Sequence, residues 1–167
     1  MTGLVVNDTA TYWSLFGQGI ILLLIQIGGM GIITIAIAIA VISGRKIGLM
    51  QRSTMQEAIS APTVGGIVRR TQFIIRTTIL IEIIGAALLA PVFCRDFGFW
   101  KGIWYSLFHS ISAFCNAGFD LIGIRTPFSS LTSYSVQPIV NLVIMMLIIA
   151  GGIGFLTWED IKLSLIH

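Results

Sequence analysis

Few side chains in this sequence are placed to do chemistry. Cys94 and Cys115 lie about 21 residues apart with His109 as the nearest soft ligand, too sparse a set for a zinc site, so two small buried thiols are the plainer reading. His109 itself is expected as a buried, hydrogen-bonded imidazole. Serine, cysteine and histidine never gather at the spacing of a nucleophile with its base, so no enzyme is expected. What remains is the main chain, at "HSISAFCNAGFD", His109 to Asp120. Here a turn-like Asn-Ala-Gly-Phe interrupts a strongly apolar region. Successive carbonyl oxygens can replace the hydration shell of a cation. They face one axis only where some residue takes φ above zero, which glycine does at least steric cost. Gly118 is the residue placed to do so, and an ordinary turn between two helices is the competing reading.

The elements that must position Gly118 are membrane elements. The chain is 56% hydrophobic and 10% charged, with a mean hydropathy of +0.95, against about 25% charged residues in an average soluble domain. No charged side chain occurs for about 36 residues between Asp8 and Arg45, and about 20 apolar residues already cross a hydrocarbon core. No basic n-region or small-residue cleavage site marks this stretch as a secretory signal, so it is expected to stay in the mature protein. The net charge of +3 does not point to nucleic acid. Its main cluster, Arg45, Lys46, Arg52, Arg69 and Arg70 against Glu57, falls in one loop between helices and marks that loop as cytoplasmic.

The pattern predicts an all-α integral membrane chain of about three transmembrane helices and one re-entrant half-helix. The first helix is expected from about Ser14 to Ile42 and the second from about Thr71 to a stop near Pro91. The apolar stretch "IWYSLFHSISAF", about 12 residues long, is too short to cross and is expected to dip in and return. Its C-terminal partial negative charge would favour a cation. A last helix begins at Pro138, in a first turn that tolerates proline. "IGGMGIIT" at Ile27 to Thr34 and "AGGIGFLT" at Ala150 to Thr157 repeat one another and run in the same direction. Each copy is preceded by a glycine and a bulky apolar residue, Gly3-Leu4 and Gly118-Phe119. The glycine clusters Gly28-Gly29-Met30-Gly31 and Gly151-Gly152-Ile153-Gly154 are read as close helix packing or hinges, because no strand precedes them as a nucleotide loop requires.

Three carboxylates are set apart by their positions. Glu82 sits near the middle of the second helix, where it must face protein or water, either bonding the half-helix or loop or acting on the ion itself. Arg76 lies on another face and is expected to reach towards headgroups. Asp8 and Asp120 follow the two glycines and either concentrate cations at a mouth or are simply solvated.

These residues resemble the Ktr/Trk potassium uptake subunits related to plant HKT transporters, which look like four helix–pore loop–helix units around one potassium-channel-like pore. "SISAFCNAGFDLIG" is similar to the pore loop of the second unit, "TGLVVNDTATYW" to the end of the first loop, and "QIGGMGIITIA" to the helix after it. The resemblance covers essentially the whole chain. It implies a division into the end of the first pore loop with its following helix over 1–43, a cytoplasmic basic linker over 44–70, and the second unit over 71–167. It implies filter roles for Gly3 and Gly118, with Thr2, Asn116, Ala117 and Phe119 as their neighbours; Glu82, Asp8 and Asp120, set apart by position alone, are the candidate pore-supporting residues beside them. Potassium is then the transported ion, with sodium stimulating uptake in some members, and no covalent cofactor is implied. The implied partners are membrane lipid, a second copy in a homodimer and a cytosolic nucleotide-binding regulatory ring of RCK type, with no nucleic acid. A full member has further helices before Thr2 and two more units after His167, and a position like Met1 usually holds an apolar residue such as valine. The chain is therefore expected to be an internal fragment, inactive alone, of a potassium uptake protein in the cell membrane. A secondary transporter, which inverted symmetry would favour, and a non-transporting scaffold are the rivals.

Overall fold

The computed structural model describes residues 3–31, 67–124, 127–153 and 157, with only the backbone described for 67–70 and 124. Among them the secondary structure is helical without strands. The α-helices are α1 (Thr9–Tyr12), α2 (Leu15–Met30), α3 (Ile67–Phe97), α4 (Phe99–Phe114) and α5 (Pro138–Gly152), with 3-10 turns at Ile122–Ile124 and Ser130–Tyr134. The chain divides into two compact units, one formed by 1–29 with 80–167 and the other by 30–79. In the second unit the described part of α3 buries Thr71, Ile74 and Thr78, a single face at helical spacing.

Helix α4 is the centre of the first unit. Ten of its sixteen residues are buried, from Gly102 through Phe114. Phe93, Leu89, Phe108, Ile25, Tyr134, Val140 and Leu147 pack into the same core. The polar residues that α4 carries into this core, Ser106, His109, Ser110 and Ser112, are all bonded. Ser106 Oγ donates to the Gly102 carbonyl at 2.7 Å and Ser110 Oγ to the Glu82 carbonyl at 2.7 Å. This is the condition for a polar helix to sit among apolar neighbours.

The other helices show the reverse pattern. Leu23 and Leu24 on α2, and Leu142, Met145 and Met146 on α5, are each more than half exposed. Contiguous apolar faces of this kind require hydrocarbon or further protein against them. Residues 71–97 of α3, whose most apolar stretch has a mean hydropathy of 2.1, are long and apolar enough to cross a membrane, the one helix of which this holds among the described residues.

Three expected boundaries move. The first helix does not run unbroken from Ser14 to Ile42: α2 ends at Met30 because Gly31 takes φ +83, a left-handed conformation that ends a helix without steric cost in glycine. The remainder of that expected helix and most of the basic loop, 44–66, lie outside the described residues. The second helix does not stop near Pro91 but continues to Phe97. Proline forfeits one main-chain bond, yet such interruptions are tolerated inside membrane helices where neighbours compensate. The half-helix begins at Phe99 rather than Ile103 and has sixteen residues. Gly98 serves both helices: its N–H closes on Cys94 O at 3.0 Å, while its carbonyl receives Gly102 N at 2.8 Å. At about 1.5 Å per residue α4 is about 24 Å long, still short of a hydrocarbon core.

Candidate functional site

The end of α4 is built by its own sequence. Asn116 takes φ +52, and Asn116 N–H donates to Ala113 O at 3.1 Å while Ala117 N–H donates to Ser112 O at 2.8 Å. This nested pair of bonds closes a helix C-terminus when the residue beyond the cap is left-handed, a conformation asparagine tolerates better than most. Asn116 Nδ2 lies 3.4 Å from both Phe114 O and Ile148 O, tying the turn to α5.

Beyond the turn, Gly118 adopts φ +74. Gly3, far away in sequence, adopts φ +65. The two meet in space: a Cβ on Gly3 would stand 2.7 Å from the Gly118 carbonyl oxygen and 3.0 Å from its Cα. Such an approach leaves no room for a side chain at Gly3. The structure therefore joins the glycines that precede the two repeat copies. Thr2 lies outside the described residues; Ala117 is fully buried, Gly118 exposed and Phe119 half-buried.

Side chains of α4 hold the strand that follows. Ser112 Oγ donates to Phe119 O at 2.6 Å and accepts Phe119 N–H at 3.0 Å, so one hydroxyl fixes both main-chain groups next to Gly118. His109 lies one turn earlier on the same face. Its Nδ1 lies 2.7 Å from Tyr105 O, and its Nε2 accepts Leu121 N–H at 3.4 Å. Donation at Nδ1 and acceptance at Nε2 define the neutral imidazole and leave neither nitrogen for a metal. Sequence reasoning missed Ser112, although its spacing of three from His109 and four from Asn116 carries the signal.

Glu82 lies beneath this turn and is buried. Gln26 Nε2 of α2 donates to its Oε2 at 3.0 Å, and Cys115 Sγ donates to its Oε1 at 3.9 Å. With Ser110 on its carbonyl, Glu82 joins α2, α3 and α4. Neither Gln26 nor Ser110 stood out in the sequence as its partner. The glycine clusters serve the same junction: a Cβ on Gly29 would run into Cys115, and one on Gly151 into the Phe114 carbonyl.

Asp8 and Asp120 both bond main chain. Asp120 Oδ1 accepts Ile122 N–H at 3.1 Å. Asp8 Oδ1 accepts Ala10 and Thr11 N–H at 2.9 and 3.2 Å, capping α1, and its Oδ2 accepts Phe128 N–H at 2.9 Å. A cavity of about 250 Å³ lies beside Gly118, lined by Ser112, Asn116, Phe119, Ser130 and Ile148 among others. Both cysteines are free thiols, half-buried, with Cys94 Sγ 3.6 Å from Phe99 O. Among the described residues no group of three or more His, Cys, Asp or Glu side chains forms a metal site. The arrangement holds two left-handed glycine turns side by side, main chain against main chain.

The model of a family described as TrkH, cation transport protein, matches residues 1–164. The Ktr system potassium uptake protein B of Bacillus subtilis is 45% identical over 161 residues, covering 96% of this chain and 35% of that protein. The potassium/sodium uptake protein NtpJ of Enterococcus hirae is 40% identical over 161 residues, with the same coverage of 96% and 35%. The Ktr system potassium uptake protein B of Vibrio alginolyticus is 33% identical over 161 residues, covering 96% of this chain and 34% of the relative. The chain thus spans about a third of the length of the curated relatives it matches.

Proposed function

The chain belongs to the TrkH family of cation transport proteins, not of enzymes, and from that premise we propose that it is part of the pore-forming subunit of a potassium uptake system in the cell membrane. In this reading α3, α4 and α5 are one outer helix, pore helix and inner helix, and α2 is the inner helix of the preceding unit. Thr2-Gly3 and Asn116-Ala117-Gly118-Phe119 are two strands of one selectivity filter, whose carbonyls receive a partly dehydrated potassium ion driven by the membrane potential. The observation that carries the proposal is the meeting of Gly3 and Gly118, both left-handed and backbone to backbone.

Glu82 supports the filter from below by joining the pore helix to α2 and α3. Asp120 shapes the outer segment by capping the turn after the filter. The name "Ktr system" of the relatives supports a membrane subunit working within a multi-component system. Pairing with a second copy, and docking of a nucleotide-binding ring or anionic lipid on residues 44–70, are parts of the same proposal. Sodium as a stimulating ion fits the potassium/sodium uptake named for the Enterococcus relative. The parallel repeat disfavours a transporter built from inverted halves.

The test places this chain in the matching third of the Bacillus subtilis relative and expresses the chimera in bacteria lacking potassium uptake. Gly118→Ser forces a side chain into φ +74, a cost of about 1–2 kcal/mol. Potassium-over-sodium preference is expected to fall about tenfold, the equivalent of that energy. Uptake with unchanged preference would overturn the filter reading.

A further inference from the structure

Asp8 was a candidate for drawing cations to a mouth by its charge, but the bonds it makes suit a different task. Its two oxygens are divided: Oδ1 caps α1, while Oδ2 reaches Phe128, 120 positions away in sequence, and accepts its N–H at 2.9 Å. Phe128 has φ +59 and Ser130 φ +50, conformations that side-chain-bearing residues adopt only where surroundings hold them. Gly123, in the turn that follows Gly118, lies so close to the Asp8 carboxylate that a Cβ there would collide with it. Thr9, the first residue of α1, is buried, and α1 packs against that same Ile122–Ile124 turn.

We infer that Asp8 is a positioning residue that straps the segment after Gly3 to the segment after Gly118, fixing the two glycine turns relative to one another and thereby the discrimination between potassium and sodium. The inference rests on the transport reading above. A field effect and a strap differ in kind. A mouth charge attracts both monovalent cations alike and is screened by salt. A strap sets oxygen positions, which matter to ions of different size, and salt does not screen it.

Two substitutions separate these roles. Asp8→Asn keeps an oxygen for the cap of α1 but opposes an amide N–H₂ to the Phe128 N–H, removing the strap and the charge together. Gly123→Ala keeps the charge and displaces the carboxylate. In the Bacillus chimera, potassium and sodium uptake are measured at low and high choline chloride, with membrane-fraction protein as the control for folding. Both variants are expected to lower the potassium-over-sodium ratio by about fivefold or more, at either ionic strength, as loss of a charge-assisted bond warrants. Asp8→Asn raising both KM values in proportion, with recovery in high salt and an unaffected Gly123→Ala, would overturn the inference in favour of a field. Unchanged ratios in both variants would also overturn it. An unaltered chimera that takes up no potassium refutes the transport reading, and the strap's role in selectivity with it.

Discussion

Replacing Ser112 by alanine removes one hydroxyl and two hydrogen bonds, both to Phe119, the residue that follows Gly118. Ser112 is 3% exposed, so its own loss creates little cavity but strands an N–H and a C=O in a region with few donors. Left dry, two such groups cost about 1–3 kcal/mol each, or about 2–6 together. The cavity of about 250 Å³ touches both Ser112 and Phe119, and a water needs only about 30 Å³. Hydration should therefore reduce the cost to about 1–2 kcal/mol, a fall of at most a few degrees in Tm for the full-length chimera. A water is not anchored to α4, however, so the carbonyl of Phe119 and the turn before it lose their fixed position. The Ser112→Ala chimera should fold, lose a few degrees in a detergent-solubilised thermal scan, and lose several-fold in potassium-over-sodium preference. Ser112→Thr, which keeps the hydroxyl, should recover preference more than stability, since its added methyl meets a packed core. A selectivity unchanged by Ser112→Ala, with the expected loss of Tm, would refute the reasoning that this hydroxyl positions the filter strand.

Two further predictions concern the junction below the turn. Glu82→Gln should retain part of the bonding to Gln26 and cost about 1 kcal/mol, whereas Glu82→Ala strands the Gln26 amide and should cost about 2–4 kcal/mol, read as lost thermal stability of the purified chimera. Gly151→Ala drives a methyl into the Phe114 carbonyl at the end of α4, which should cost about 1–3 kcal/mol of overpacking and reduce the maximal uptake rate; full rate and Tm would contradict the close contact of α4 and α5.

The class of the protein was legible without coordinates. A charge-free run between Asp8 and Arg45 and the mean hydropathy point to a membrane chain, because a helix with apolar residues on every side is best placed in hydrocarbon. The same held for Gly118, whose isolation in a polar turn between apolar segments announced a left-handed residue, now seen at φ +74. Element ends were less legible. Pro91 was expected to stop a helix that continues six residues further, because local propensity gives way where Leu89 and Phe93, on either side of the proline, are packed into the core. Gly31 ended one that composition alone would have extended, since a glycine reads the same within a helix as beyond its end.

By itself the amino-acid order determined which residues carry no side chain and which cannot be solvated, for both are properties of single positions. Only the tertiary structure decided that Gly3 rests on Gly118, that Ser112 bonds Phe119, that Glu82 takes Gln26 and Cys115, and that Asp8 bonds Phe128 rather than standing free. A carboxylate or hydroxyl will bond any donor brought within 3 Å or so, and its identity does not say which one. That choice is made by helices crossing around α4, where close approach at a few glycines selects one set of partners and excludes the others.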